Sequence, residues 1–118
     1  MMEFPCTRTY GTPRNRVHTN NYRSTLNIVH CPAASRFETS VDDHLCVAEY
    51  RLAGKVMAMT HTYVPPPLEG RGIAAALVAA ALAHARAAGL RVRPDCSYVE
   101  RYMRRHRDTL DLLATAQD

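Results

Sequence analysis

No stretch of this sequence approaches the ~20 apolar residues that a membrane-spanning helix needs. The longest apolar run, around Ile73–Ala83, is mostly alanine and reads as a buried helix. No Cys-x-x-Cys occurs among Cys6, Cys31, Cys46 and Cys96, and His30-Cys31 and His44-Leu45-Cys46 are too close for ordinary zinc spacing. No metal is therefore expected. Residues 1–30 hold no apolar stretch ahead of a small-residue cleavage site, so the cysteines read as free thiols of a cytoplasmic protein. Lysine is nearly absent. Lys55 is the single exception among 15 basic residues, and with the abundant alanine this bias points to a GC-rich, bacterial genome.

The body of the chain also lacks a charge excess. Of the formal net charge of +4, Arg8, Arg14, Arg16 and Arg23 against Glu3 supply +3. The basic character therefore belongs to residues 1–24, and nucleic acid is not an expected partner of the remainder. Residues 1–24 show neither a period of 2 nor one of 3.6, and they carry Pro5, Gly11 and Pro13. They read as a disordered basic tail. Residues 25–118 read as one domain, since a chain of 118 residues sustains one core and one cleft.

From Leu26 the texture changes. Leu26–Val29 is a candidate edge strand, and Arg36–Val41 alternates. Asp42-Asp43-His44 makes a turn, and Cys46–Leu52 is the next strand. Ala53-Gly54 turns the chain again into Lys55–Val64. Short turns between successive strands give an antiparallel meander. Alternation along the last of these strands puts Met57, Met59, His61 and Tyr63 on one face and Ala58, Thr60, Thr62 and Val64 on the other.

Pro65, Pro66 and Pro67 end that strand. A helix from Gly72 to Ala88 follows, with Gly89 as its stop and Ile73, Leu77, Val78 and Leu82 as its apolar stripe. Leu90–Arg93 returns as a strand parallel to Lys55–Val64. Ser97–Arg105 is a second helix and Thr109–Ala114 a short third one. The fold class is α/β: an antiparallel meander feeding one β-α-β unit, with helices on the sheet.

Four features carry chemistry. Gly70-Arg71-Gly72-Ile73-Ala74 opens a helix, where free N–H groups and the helix dipole favour a phosphate; the same residues also serve as a plain two-glycine turn. The spacing Gly70-x-Gly72-x-x-Ala75, with Asp95 downstream, fits a dinucleotide loop. One β-α-β unit is too few for that fold, and Pro65–Glu69 separates the loop from its strand. His61, near the carboxyl end of a central strand, suits a general base or a hydrogen-bonded core histidine. Cys96, at the start of a helix, suits a nucleophile, a proton donor or a buried filler. Tyr98 and Tyr102 share a helix face. Arg101, Arg104, Arg105 and Arg107 form a basic cluster that is either a solvated face or a contact for ligand phosphates.

Taken together, His61-Thr62-Tyr63-Val64-Pro65, then Glu69-Gly70-Arg71-Gly72-Ile73-Ala74, then Cys96-Ser97-Tyr98-Val99 resemble the small, minimal Gcn5-related N-acetyltransferase-like proteins. The likeness runs from about Val29 to Leu113. Against the superfamily signature Gln/Arg-x-x-Gly-x-Gly/Ala, Glu69 stands where Gln or Arg is usual, Gly72 matches and Ala74 is an allowed ending. The resemblance implies splayed parallel strands and acetyl-CoA as co-substrate. It places the pyrophosphate on the loop N–H groups, with Val64, Gly70, Arg71, Gly72, Ile73 and Ala74 binding the cofactor. It further implies catalytic roles for His61 and Cys96, with Tyr98 in the same motif. The implied activity is acetyl transfer to an amine: a protein lysine, an amino terminus or a small amine. The alternative is a non-catalytic acyl-CoA-binding or sensor module. A monomer or weak dimer is expected.

Overall fold

Two tight turns set the register of the sheet. Asp42 and Asp43 join two strands with φ of 51° and 66°. A two-residue hairpin loop requires this left-handed pair, and Asp tolerates it because its side chain bonds locally. Gly54, at φ 61°, makes the next reversal. The structure, a computed structural model, describes residues 26–115. Its strands are β1 (Val29–Cys31), β2 (Arg36–Val41), β3 (His44–Ala53), β4 (Val56–Tyr63) and β5 (Arg91–Pro94). They lie in one sheet in sequence order. β1 through β4 pair antiparallel, and β4–β5 is parallel.

The crossover from β4 to β5 is α1 (Ile73–Ala88). Its buried residues Ile73, Leu77, Val78, Ala81, Leu82 and Ala85 recur at helical spacing. The alanines among them let the helix lie close on the sheet. There it meets Phe37, Cys46, Ala48, Tyr50, Met57, Met59 and Val92. Gly89 ends it at φ 73°: Gly89 N–H donates to Arg86 O (3.3 Å) and Leu90 N–H to Ala85 O (2.8 Å). This pair of bonds satisfies carbonyls that the last turn would otherwise leave free. A second helix, α2 (Ser97–Arg105), adds Val99 and Met103 to the same core. Leu112 closes it from a 3-10 segment, Arg107–Leu112.

That last segment also covers the outer edge of β5. Ala114 N–H donates to Val92 O (2.8 Å), and Arg91 Nη1 to Asp111 O (2.7 Å). Arg86 holds both Asp111 carboxylate oxygens, at 2.8 and 3.0 Å. An edge strand covered in this way offers no template for a second chain.

The β2 and α2 boundaries are those expected from the sequence. The ends of β3, β4, α1 and β5 lie one or two residues from those expected, and four further features differ. The edge strand lies two to three residues later than Leu26–Val29, because Pro32 in the following 3-10 turn Pro32–Ala34 limits its end, not its start. The turn after β3 falls on Gly54 and Lys55, since Ala53 still pairs with Val56. The third helix is a 3-10 segment that starts earlier, at Arg107. Cys31 is disulfide-bonded, whereas Cys46 and Cys96 are free thiols. The expected basic tail, residues 1–24, lies outside the described residues. No helix among the described residues is long and apolar enough to cross a membrane.

Candidate active site

The site begins where β4 and β5 part. β4 pairs with β3 as far as Val47↔Tyr63, but with β5 only as far as Met59↔Pro94. At that same point β4 carries a bulge. Tyr50 pairs with Met59 and Glu49 with His61, which leaves Thr60 as the extra residue. Thr60 Oγ1 donates to Glu49 O at 3.3 Å.

The bulge changes which residues share a face. Directly paired residues of antiparallel strands point the same way. Met57, Met59 and Thr62 therefore lie on the α1 side with Leu52, Tyr50 and Ala48. His61 and Tyr63 lie on the opposite side with Glu49 and Val47. Both are exposed, with ring centroids 6.5 Å apart and planes 11° from parallel. The expectation that Met59 and His61 share a face is corrected by this one extra residue.

Cys96 sits at the base of the parting. Its N–H donates to Met59 O (2.9 Å), in place of a further β5 residue. Its Sγ donates to Thr62 Oγ1 (3.7 Å). It is half-buried and precedes α2 without a side-chain capping bond. His61 and Cys96 are thus close along the chain of contacts but face opposite sides of the sheet.

The third part is the glycine loop. Pro65 leads into a 3-10 turn, Pro66–Leu68, closed by Leu68 N–H donating to Pro65 O (2.9 Å). Leu68 is buried and anchors the turn in the core. Gly70 and Gly72 then adopt φ of 86° and 83°, a region that costs an L side chain roughly 1–2 kcal/mol. Their backbone delivers the chain into α1 with Gly72 as the N-cap. That helix start has no side-chain cap and no acidic residue in its first turn. The N–H groups of the first turn have no acceptor within the helix and stand at its positive end. Arg71 Nη1 lies 3.3 Å from Asp42 Oδ2, tying the loop to the β2–β3 hairpin.

The end of β4, the glycine loop, the first turn of α1 and Tyr98 line a cavity of about 620 Å³. Its lining includes Thr62, Tyr63 and Val64 at the end of β4, Gly70 and Gly72 of the loop, and Ile73, Ala74 and Ala75 of α1. Tyr98 of α2 completes it. Burial pushes the Tyr98 phenol above its usual pKa, while the positive charges of Arg105 and Arg101 pull it back in part. The hydroxyl is therefore protonated at neutral pH and available as a donor.

Of the residues expected to form a site, Val64, Gly70, Gly72, Ile73, Ala74 and Tyr98 come together around this cavity. Arg71, His61 and Cys96 are not among its lining residues. Thr62, Leu68, Glu69 and Ala75 line it without having been expected as cofactor-binding or catalytic residues, Ala75 having entered only through the dinucleotide spacing. Glu69 was noted only as a departure from a signature, and Thr62 was assigned to the other face. Among the described residues no group of three or more His, Cys, Asp and Glu side chains is placed to hold a metal ion.

Two comparisons bear on this arrangement. Residues 36–112 match the family model of the GCN5-related N-acetyl-transferases. That span begins at β2 and ends with the 3-10 segment, so it contains every element of the cavity. The fold is similar to the solution structure of a GCN5-like protein from Staphylococcus aureus, with a TM-score of 0.62 and 24% identity over 77% of this chain and 90% of that one.

Proposed function

From the membership of this chain in the GCN5-related N-acetyltransferase family, we propose that residues 25–118 transfer the acetyl group of acetyl-CoA to an amine. The observation that carries the proposal is the coincidence of the β4–β5 parting at Met59 with the uncapped start of α1 in one cavity. The donor set fits the co-substrate. The first-turn N–H groups of α1 and the flanking loop suit a pyrophosphate, which needs several convergent donors and a positive potential. The edge of β4 beyond Met59, where β5 no longer pairs, offers backbone groups to the amides of a pantetheine arm. Acetyl-CoA, when bound, supplies an activated thioester.

The residues then divide the remaining work. Tyr98, with its neutral phenol on the cavity wall, donates a proton to the departing thiolate. Cys96, held against Thr62 at the base of the parting, is the second candidate donor or a nucleophile. His61 accepts a proton from an amine that enters on the face opposite α1, with Glu49 directly across from it on β3. Backbone N–H groups stabilise the oxyanion, and holding both reactants in line lowers the barrier further. The assay is release of free CoA thiol from acetyl-CoA across a panel of peptide and small amines. Amine-dependent release is the expected result.

A second reading treats the domain as an acyl-CoA-binding module without turnover. The place of His61 and Cys96 outside the cavity lining favours it. Binding of both CoA and acetyl-CoA with no amine acetylated would select this reading over transfer.

A further inference from the structure

On the face away from α1, β4 carries two rings that stand apart. His61 and Tyr63 are 6.5 Å from centroid to centroid, with planes 11° from parallel. Two other near-parallel pairs are closed: His30–Phe37 at 4.2 Å and Tyr102–His106 at 3.9 Å. The strand itself sets the wider spacing, because residues two apart lie about 6.6 Å along it. Carbon atoms make their best contact at about 3.5–4.0 Å, so the gap holds nearly the room of two such contacts. A further flat ring enters it against Tyr63 with a small side-chain movement. Both residues are exposed, and Tyr63 also lines the main cavity. A group in the gap therefore lies at the mouth of that cavity.

The charges around the gap select one cation and repel a second. Glu49 pairs directly with His61 across β3 and β4, so both side chains point to this face. The Glu49 carboxylate forms no ion pair among the described residues. It is half-buried and within reach of an ammonium group that meets His61. Its neighbours on the same face are basic. Arg36 is its direct partner on β2, with the guanidinium held by Glu38 at 2.6 Å. Arg51 lies two residues along β3, and Arg93 lies beyond Ala58 on β5. A single ammonium gains from Glu49. A further positive charge on the same molecule meets these guanidinium groups, and like charges brought together disfavour the wrong ligand.

We propose that the acceptor is a small amine of single positive charge that carries a flat ring on a short carbon chain. The ring lies in the gap against Tyr63, and the amine reaches His61 with Glu49 beside it. Tyr63 is then the residue that sets acceptor specificity. This inference rests on the acetyl-transfer reading above and names the substrate class of that site. The chemical step is unchanged. The amine loses one proton to solvent, and its nitrogen bonds the acetyl carbon as the carbon–sulfur bond breaks. His61 takes the remaining amine proton and Tyr98 protonates the thiolate. Polyamines and lysines in basic peptides are excluded by their additional charge.

The test measures kcat/KM of the full chain at saturating acetyl-CoA for phenethylamine, its saturated analogue cyclohexylethylamine, and spermidine. Wild type should favour phenethylamine about fivefold over the saturated analogue, the size of a ring–ring contact, and should favour it over spermidine as well. Tyr63→Leu should bring the phenyl-to-cyclohexyl ratio to about one, and Tyr63→Phe should restore it. The ratio is read within one variant, so any effect on acetyl-CoA divides out. Tyr63 is exposed, and a melting curve should show the fold intact. Glu49→Gln should raise KM for phenethylamine about fivefold with kcat little changed, as for loss of a partly exposed ion pair. Equal rates with the two ring amines in wild type, a preference for spermidine, or a ring preference that survives Tyr63→Leu would overturn the inference and leave acetyl transfer standing. So would turnover of none of the three while other amines are accepted. No turnover with any amine would overturn both.

Discussion

The two halves of β4 have opposite fates. Val56–Met59 is buried at all four positions and paired on both sides, to β3 and to β5. Thr60–Tyr63 is exposed or half-buried and keeps only β3 as a partner. The change falls between Met59 and His61, where the bulge and the end of β5 pairing coincide. The first half therefore builds the core. The second half leaves one backbone edge and two side-chain faces available for a ligand. A strand can serve both purposes only if its pairing on one side stops while the other side holds it in place, and β3 does that holding.

The largest expected effect probes the contrast directly. Met59 is fully buried, so Met59→Ala should cost about 2–5 kcal/mol in urea unfolding. Tyr63 is 47% exposed, and Tyr63→Ala should cost under about 1 kcal/mol. Equal losses would break the comparison. Next comes Tyr98→Phe, which removes the proposed proton donor and keeps the ring. Turnover should fall about 100-fold with little change in KM for acetyl-CoA. A KM effect alone would make Tyr98 a wall of the cavity and nothing more.

Gly72→Ala should be smaller, about 1–2 kcal/mol of stability for a side chain at φ 83°, accompanied by weaker acetyl-CoA binding. The smallest effect lies away from the site, on β1. Burial, and then the charge of His84, lowers the pKa of His30 from its usual 6.5. Its folded state thus binds a proton less readily than the unfolded chain. The stability it contributes is complete above about pH 6.5 and declines as pH falls below that value. The His30 ring stacks on Phe37 with the two planes 5° from parallel, so His30→Phe keeps a flat ring there and should flatten the melting temperature in that range. It should leave acetyl-CoA binding unchanged.

Much of this site was legible in the sequence, because its signals are local. Pro65 to Pro67 stop a strand wherever they occur, Gly70 and Gly72 permit positive φ, and the apolar stripe of α1 fixes which face is buried. Six of the expected residues accordingly meet around one cavity. The bulge was not legible. Met57 and Met59 set the phase of β4 through burial, but Thr60, His61, Thr62 and Tyr63 are all amphipathic strand formers. Either phase suits them equally, so the pattern carries no mark of the extra residue. The separation of His61 from Cys96 follows from that single position.

The central claim is that the parting of β4 and β5 beside the glycine loop is an acetyl-CoA site. A melting curve with and without acetyl-CoA tests it most directly. At 100 times its dissociation constant the ligand should stabilise the fold by about 2.7 kcal/mol, with a matching rise in Tm. An unchanged Tm at millimolar acetyl-CoA would contradict the claim.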